Sequence, residues 1–509
     1  MKKIRLILLF AIGLSLFSCE DAYRIEQDGE FGENVTFQSL DDMQLYLNQV
    51  YNRATITNEI AFSAVFTDEL GIGSQNAGQN LDLYKYTLNS ATAEPAAMWL
   101  AHYTLINYTN RFLRGAARIT PEADEVAAYN SMVAQARALR AFGHFQLLSF
   151  FSENIKDDNA LGVILMDRVP ALTEELPRNT NGEVFALIES DLTYADANLV
   201  DQAGANSFKF VSKNFLNAFR ARMYAYRGNY TLAAQYADIV INTSGLNLTA
   251  ATPYVAGNFY TATTTNPYRQ MFADVNQGEI ILSLARPAAQ GGIAGTFYFN
   301  RTNLSGGPFH DMGRNLFNLL GTFEQGDIRR RAYIDPTSVI AADPATVANY
   351  KGADVLLIDK YPGKAGGDLT NDLKVFRLSE MYFIKAEALA STGNINGATN
   401  SVAAILKQIR DRRNYLGLVQ PLPNYASATE AWADILKERR IELCFEGHRY
   451  IDLKRLGGLA NVTIDRYFRD CEENNVPVCS LPLTDHRFTL PIPLDEMLGN
   501  RNIQQNTDY

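Results

Sequence analysis

Apolar residues recur at helical spacing along most of this chain. Trp99, Tyr103, Ile106, Asn110 and Leu113 fall at alternating steps of four and three, which puts them on one face of a helix and marks Trp99 as a core residue. Val133, Ala136, Arg140, Gly143, Leu147 and Phe150 do the same in the next long segment. The small side chains of Ala136 and Gly143 admit a closely packed neighbouring helix. Two distant stretches also repeat. Aligning Gly228 with Gly393 superposes Ala221 on Ala386, Ala225 on Ala390 and Ala233 on Ala398, with Asn229 and Asn394 after the glycines. A glycine ends a first helix in a left-handed cap, and the alanines let a second helix fold back on it, which is the logic of tetratricopeptide repeats.

Between the two copies the pattern breaks. Residues 243–270 are rich in Thr, Asn, Ala, Gly and Pro and read as irregular loop. Residues 278–284 read as a short strand, with a further strand expected at 355–358. Residues 290–308 are Gly-rich with Phe297, Tyr298 and Phe299 embedded. The expected fold is therefore mostly α: a tetratricopeptide-like array of helical hairpins with long loops and a few short β-strands. Long loops on such a scaffold are common carriers of binding residues.

The chain opens on a different pattern. Lys2, Lys3 and Arg5 precede an apolar run over residues 6–16, then Ser18 and Cys19. A basic start, a short apolar stretch and a small residue before the cut make a secretory signal. As a helix the run spans about 16 Å, half of a ~30 Å hydrocarbon core, which is too short for a stable span. Leu16-Phe17-Ser18-Cys19 resembles a bacterial lipobox, which implies cleavage before Cys19 and its lipidation. Acyl chains on that cysteine would supply the two anchors that stable membrane attachment needs. The expected organisation is a signal peptide at 1–18, a lipidated tether at 19–35, an N-terminal helical region at 36–240 and a C-terminal region with a loop-rich insert at 241–509.

With 46 Lys plus Arg against 56 Asp plus Glu, the 509-residue chain carries a net charge of -10. Nucleic acid is not expected as a partner, because phosphate binding needs a basic face. Three cysteines follow Cys19. Cys444 lies in a helical pattern and reads as a buried thiol. Cys471 and Cys479 flank a short polar loop, and in an exported chain they are expected to form a disulfide.

Little in the sequence suggests bond-breaking chemistry. There is no G-x-S-x-G, H-E-x-x-H or P-loop, and Gly71-Ile72-Gly73 lacks the third glycine of a dinucleotide site. His102, His144, His310, His448 and His486 are scattered without metal-ligand spacing, so neither a metal nor a cofactor is expected. Glu442 and Glu446 stand one helical turn apart and could form a glycosidase pair. However, Arg440, Arg449 and Arg455 are close in sequence, and arginines depress the pKa that a general acid needs raised. An ion-paired structural junction is the expectation, with no enzyme activity.

The same stretch, Glu438-Arg439-Arg440-Ile441-Glu442-Leu443-Cys444-Phe445-Glu446-Gly447-His448-Arg449 with Asp452 and Arg455, resembles the C-terminal signature of the SusD/RagB family. Arg377-Leu378-Ser379-Glu380-Met381-Tyr382 before Ala386-Glu387-Ala388 resembles another family helix. Trp99, Tyr103, Ile106 and Asn110 resemble its W-x3-Y-x2-I-x3-N helix, and residues 136–141 its A-R-x-L-R-A helix. Thr489-Leu490-Pro491-Ile492-Pro493 resembles its closing segment. The resemblance implies a right-handed helical superhelix and an outer-membrane nutrient-binding lipoprotein facing the cell exterior. It implies a SusC-like TonB-dependent transporter as partner, an oligosaccharide or peptide ligand, and no catalysis. The family's ligand contacts vary, so none carries over. A surface glycosidase and a pure protein-interaction scaffold are the competing readings.

Sugars bind through aromatic rings with amides and carboxylates at the rim. Two loops hold that mixture. One carries Asp68, Gln75, Asn76 and Tyr84, with Gln79 and Asp82; the other carries Tyr298, Asn300 and Arg301, with Phe297 and Asn303. They are expected to converge on one ligand-binding face.

Overall fold

A computed structural model describes residues 36–254, 266–287, 308–364, 367 and 370–509. The fold is mostly α and is built from antiparallel helical pairs, in the tetratricopeptide manner. Helices α1 (Leu40–Arg53) and α2 (Thr57–Phe66) pack against α3 (Ala93–Ala116). Helix α3 packs on α4 (Val126–Phe151), α4 on α5 (Asn181–Asn198), and α6 (Lys213–Tyr226) on α7 (Tyr230–Thr243). Helices α8 (Leu378–Ser391), α9 (Val402–Arg412), α10 (Ala428–Glu442) and α11 (Arg449–Ala460) continue the stack. Helix α7 packs directly on α8, so the chain leaves the stack after Thr243 and rejoins it at Leu378.

The helical faces read from sequence are the packed ones. Trp99, Ile106 and Asn110 are buried on α3, with Tyr103 and Leu113 half-buried. On α4 the whole predicted stripe is buried, and a Cβ on Gly143 would stand 3.0 Å from the Ile106 side chain, so the glycine sets how closely α3 and α4 approach. Asn110 and Arg140 then fasten the next segment. Asn110 Nδ2 donates to the carbonyls of Met166 and Arg168 at 3.0 and 2.9 Å. Arg140 forks onto Asp191 at 2.7 and 2.8 Å and donates to Asn110 Oδ1 at 2.8 Å.

The repeat is real through the first helix and its cap. Gly228 (φ +75°) and Gly393 (φ +79°) both turn the chain in the left-handed region. Asn229 N–H donates to Tyr224 O, and Asn394 N–H to Leu389 O, at 2.9 Å each. After the cap the copies part. Helix α7 starts at once, with the Asn229 side chain capping it, whereas α9 starts only at Val402 after a long turn. Ala398, aligned with the buried Ala233, is exposed in that turn.

Among the described residues, two short antiparallel ribbons lie beside the helices. Strand β1 (Leu70–Ile72) pairs with β3 (His310–Met312), and β2 (Ile280–Leu284) with β4 (Leu373–Arg377), which leads straight into α8. Residues 355–358 do not form the expected strand; isolated bridges from Val355 to Val339 and from Ile358 to Ile334 hold them instead. Cys444 is a buried thiol, and Cys471 and Cys479 are joined with their Cα atoms 5.7 Å apart.

The signature around Glu442 is a buried charge network. Glu442 accepts from Arg413 at 2.8 and 3.0 Å, from Arg377 at 2.8 Å and from Arg329 at 3.2 Å. Glu446 takes Arg377 and Lys360 at 2.7 Å, and Glu279 takes Arg377 at 2.6 Å and Arg413 at 2.9 Å. Asp452 is held by Arg439 at 2.7 Å, and Arg455 by Glu387 at 2.9 Å. Removing one partner strands the others without water. Glu442→Gln is therefore expected to lower unfolding free energy by about 3–5 kcal/mol, read by chemical denaturation. A loss below about 1 kcal/mol, the range of an exposed pair, would show that the network does not hold the fold.

Candidate ligand-binding face

Ribbon β1–β3 carries the first of the two loops singled out in the sequence. Beyond the ribbon, Gly73 N–H donates to Phe309 O at 3.0 Å and Gln75 N–H to Pro308 O at 3.1 Å. Asn76 Nδ2 adds a bond to Phe309 O at 3.0 Å, and its Oδ1 accepts from Gly78 N–H at 2.8 Å. The loop at 73–80 is thus stitched to residues 308–309, at the root of the second loop. Gly71 and Gly73 are needed for this closeness. A Cβ on Gly73 would collide with the Pro308 carbonyl, and one on Gly71 would stand 2.7 Å from Asp311 Oδ1. Gln75 and Gln79 are exposed on this loop, Asn76 is half-buried, and Phe309 presents 47% of its surface beside them.

Two predicted ligand contacts lie elsewhere. Asp68 is 1% exposed and forks with Arg449 at 2.7 and 2.8 Å, with Arg440 alongside. Burial alone would raise its carboxyl, but Arg440 and Arg449 outweigh that and hold it at about 2. Asp68 is a structural anion whose oxygens are spent on its partners. Tyr84 is fully buried, with the Arg466 guanidinium 3.9 Å over its ring. One helical turn at Leu81–Tyr84 rotates Leu83 and Tyr84 inward and leaves Asp82 outside. Neither Asp68 nor Tyr84 can meet a ligand at this surface. Tyr298, Asn300 and Arg301, like Phe297 and Asn303, lie outside the described residues, as does Cys19.

Directly under the ribbon lies a group of acids. Asp470 accepts from Tyr350 Oη at 2.7 Å and from Arg314 N–H at 3.2 Å, while the Arg314 guanidinium is taken by Asp354 at 2.6 Å. Burial, reinforced by Asp354, pushes the Asp470 carboxyl up to about 6. Burial followed by the charges of Asp470 and Asp354 raises Asp311 well above the usual range. Among the described residues no His, Cys, Asp or Glu group is arranged to hold a metal ion.

The Glu442 and Glu446 carboxyls lack what a glycosidase acid requires. Burial would raise Glu442, but Arg413 and Arg377 hold it well below the usual carboxylate range. Glu446 is lowered by Arg377 and Lys360 against the same effect of burial. Both are sealed in the interior, out of a substrate's reach.

A groove was missed in the sequence. It has a volume of about 720 Å³ and runs along α3 between residues 164–176 and 493–500, with Trp99, Tyr103 and Glu496 in its floor. Trp99 is 4% exposed, as its helical phase predicted, and its Nε1 donates to Glu496 at 3.2 Å. The signal that could have found it was Leu100, apolar yet out of phase with the buried face.

Comparison with known sequences matches the SusD family over residues 323–509, and a second family, described as starch-binding and associating with the outer membrane, over residues 25–225. The chain belongs to the SusD/RagB family. A SusD-like protein of Formosa agariphila is 24% identical across 99% of both chains. A SusD superfamily structure from Bacteroides thetaiotaomicron superposes with a TM-score of 0.71 at 24% identity, covering 92% of this chain and 100% of that one. A laminarin-binding SusD-like protein superposes with a TM-score of 0.66 at 21% identity, over 92% of this chain and 99% of its own. No helix among the described residues is long and apolar enough to cross a membrane.

The acids under the ribbon carry a pH signature. A carboxyl near 3.8 unfolded and about 6 folded favours the folded state fully below pH 4, and that contribution is lost as pH rises through 6. Asp470→Asn can keep the Arg314 N–H bond on its one oxygen and turn its NH2 to donate to Tyr350 Oη, without the charge. Its melting temperature relative to the parent protein is expected to rise between pH 4 and pH 7 and then level off. A difference independent of pH would mean that Asp470 is ionised normally.

Proposed function

We propose that this chain is a cell-surface glycan-binding lipoprotein that captures oligosaccharides and delivers them to a SusC-like TonB-dependent transporter of the outer membrane. The observation that carries the reading is the stitched loop at 73–80. It sets the exposed Gln75 amide, and Gln79 with its Oε1 already accepting from Ala77 N–H at 2.6 Å, beside the half-exposed ring of Phe309, on a ribbon fixed to the helical body. Apolar sugar faces stack on such a ring, and amides donate to and accept from hydroxyls at once. Tyr298, Asn300 and Arg301, which precede Pro308 in the sequence, are assigned to this face in the proposal.

The reading is supported by relatives named for starch and laminarin binding. It is also supported by the ion-paired state of Glu442 and Glu446, which gives the signature a structural role in place of the glycosidase pair. Lipid at Cys19 anchors the body outside the cell, and the acidic Glu20-Asp21 after it fits surface export.

Binding is tested by calorimetry with laminari- and malto-oligosaccharides. One of these classes is expected to bind saturably, and Gln75→Ala with Phe309→Ala is expected to weaken it about tenfold through a lost hydrogen bond and a lost ring contact. Undiminished affinity in the double variant would move the site away from this loop. Cys19→Ser is expected to shift the protein from the membrane fraction into the soluble one, and continued membrane attachment would refute lipidation as the anchor.

A further inference from the structure

The groove along α3 has features the glycan reading does not use. Leu100 is 67% exposed and Leu172 is fully exposed on the opposite wall, while Leu498, one residue before the lining Gly499 in sequence, is 75% exposed. Scattered exposed leucines are ordinary, but several around one concavity mark a surface built to be covered. A sugar is a poor match for that surface. The Trp99 indole is buried with its N–H given to Glu496, and the Tyr103 hydroxyl donates to Ile164 O at 2.9 Å, so no ring face with a free polar edge is offered. The charge is divided along the groove. Asp495 and Glu496 stand at the end near Trp99, and neither is ion-paired among the described residues. Arg111 lines the other end, with Arg114 and Arg118 exposed just beyond it.

The start of the described chain stands at that basic end. Phe37 packs on Phe112, with ring centroids 6.2 Å apart, and against Gly115, where any Cβ would strike its ring. Whatever precedes Thr36 therefore sets out from the C-terminal end of α3. Residues 20–35 hold Glu20, Asp21, Glu26, Asp28, Glu30 and Glu33 against a single cation, Arg24, which is flanked by Tyr23 and Ile25. The lengths agree. From Gly115 back to Leu100 is about 22 Å of helix, whereas the chain from Phe37 back to Ile25 can span about 40 Å.

We propose that the groove along α3 seats the chain's own N-terminal segment, with Tyr23 and Ile25 against Leu100 and Leu172. Arg24 then faces Asp495 and Glu496, and the acids at 26–33 pass over Arg111, Arg114 and Arg118. Docked in this way, the segment is a strap along one face of the body, and it fixes the body's orientation to whatever holds residue 19. The inference goes beyond the glycan reading and stands without it.

The test is photo-crosslinking in the full-length chain, with a benzophenone amino acid in place of Ile25 and the products mapped by mass spectrometry. Crosslinks within one chain to residues 96–111 or 164–176 are expected. Leu100→Asp with Leu172→Asp, at exposed positions that leave the core intact, is expected to cut their yield about tenfold. Saturating oligosaccharide should leave the yield unchanged. Crosslinks to the loop at 73–80, crosslinks only between two copies, or a yield insensitive to the two aspartates would each overturn the proposal.

Discussion

Burying charge is affordable only when every charge is matched, and this fold is organised around that constraint. Glu279, Glu438, Glu442 and Glu446 meet Arg329, Lys360, Arg377 and Arg413 in the interior. A single unmatched member would cost several kcal/mol, so the network tolerates one arrangement of its parts. Those parts come from different places. Glu279, Arg329 and Lys360 belong to the loop-rich insert, Arg377 to β4, and Arg413 follows α9. The network is thereby the joint between the helical stack and the loops it supports. A second set works the same way at the other end: Arg449 and Arg440 reach back to Asp68, and so fix the segment that leads into β1.

The helical body was legible from local pattern because its rules are local. A stripe at steps of three and four buries itself on any neighbour, as α3 and α4 do, and a glycine at positive φ ends a helix wherever it occurs, as at Gly228 and Gly393. The ion-paired character of Glu442 and Glu446 was legible too, although the cations expected from sequence were not the ones that bind. Arg377, Arg413 and Lys360 take those places. Asp68 and Tyr84 were misread for the same reason. A polar residue in a loop looks solvated until its partner is known, and their partners, Arg449 and Arg466, lie at the far end of the chain. Ala398 shows the opposite error, a coincidence of alanines that extended a true repeat one element too far.

The glycines at 71 and 73 illustrate how the loop face depends on the body. They were weak as a nucleotide motif and strong as spacers. Gly71 lies over the Asp311 and Asp470 carboxyls, and Gly73 lets the loop close on Pro308. Gln75 is therefore placed by its backbone hydrogen bond to Pro308, while the side chains of Asn76 and Gln79 help to shape the loop itself.

The direct packing of α7 on α8 has a consequence for how the molecule is made. Two neighbouring layers are separated by the whole insert, so their contact closes a very long loop, and such contacts form late and slowly. The first hairpins can assemble as the polypeptide emerges, but the later ones have no finished surface to grow upon until the excursion has delivered Glu279, Arg329, Lys360 and Arg377. Order of assembly, as well as final shape, is thus written into where the insertion interrupts the stack.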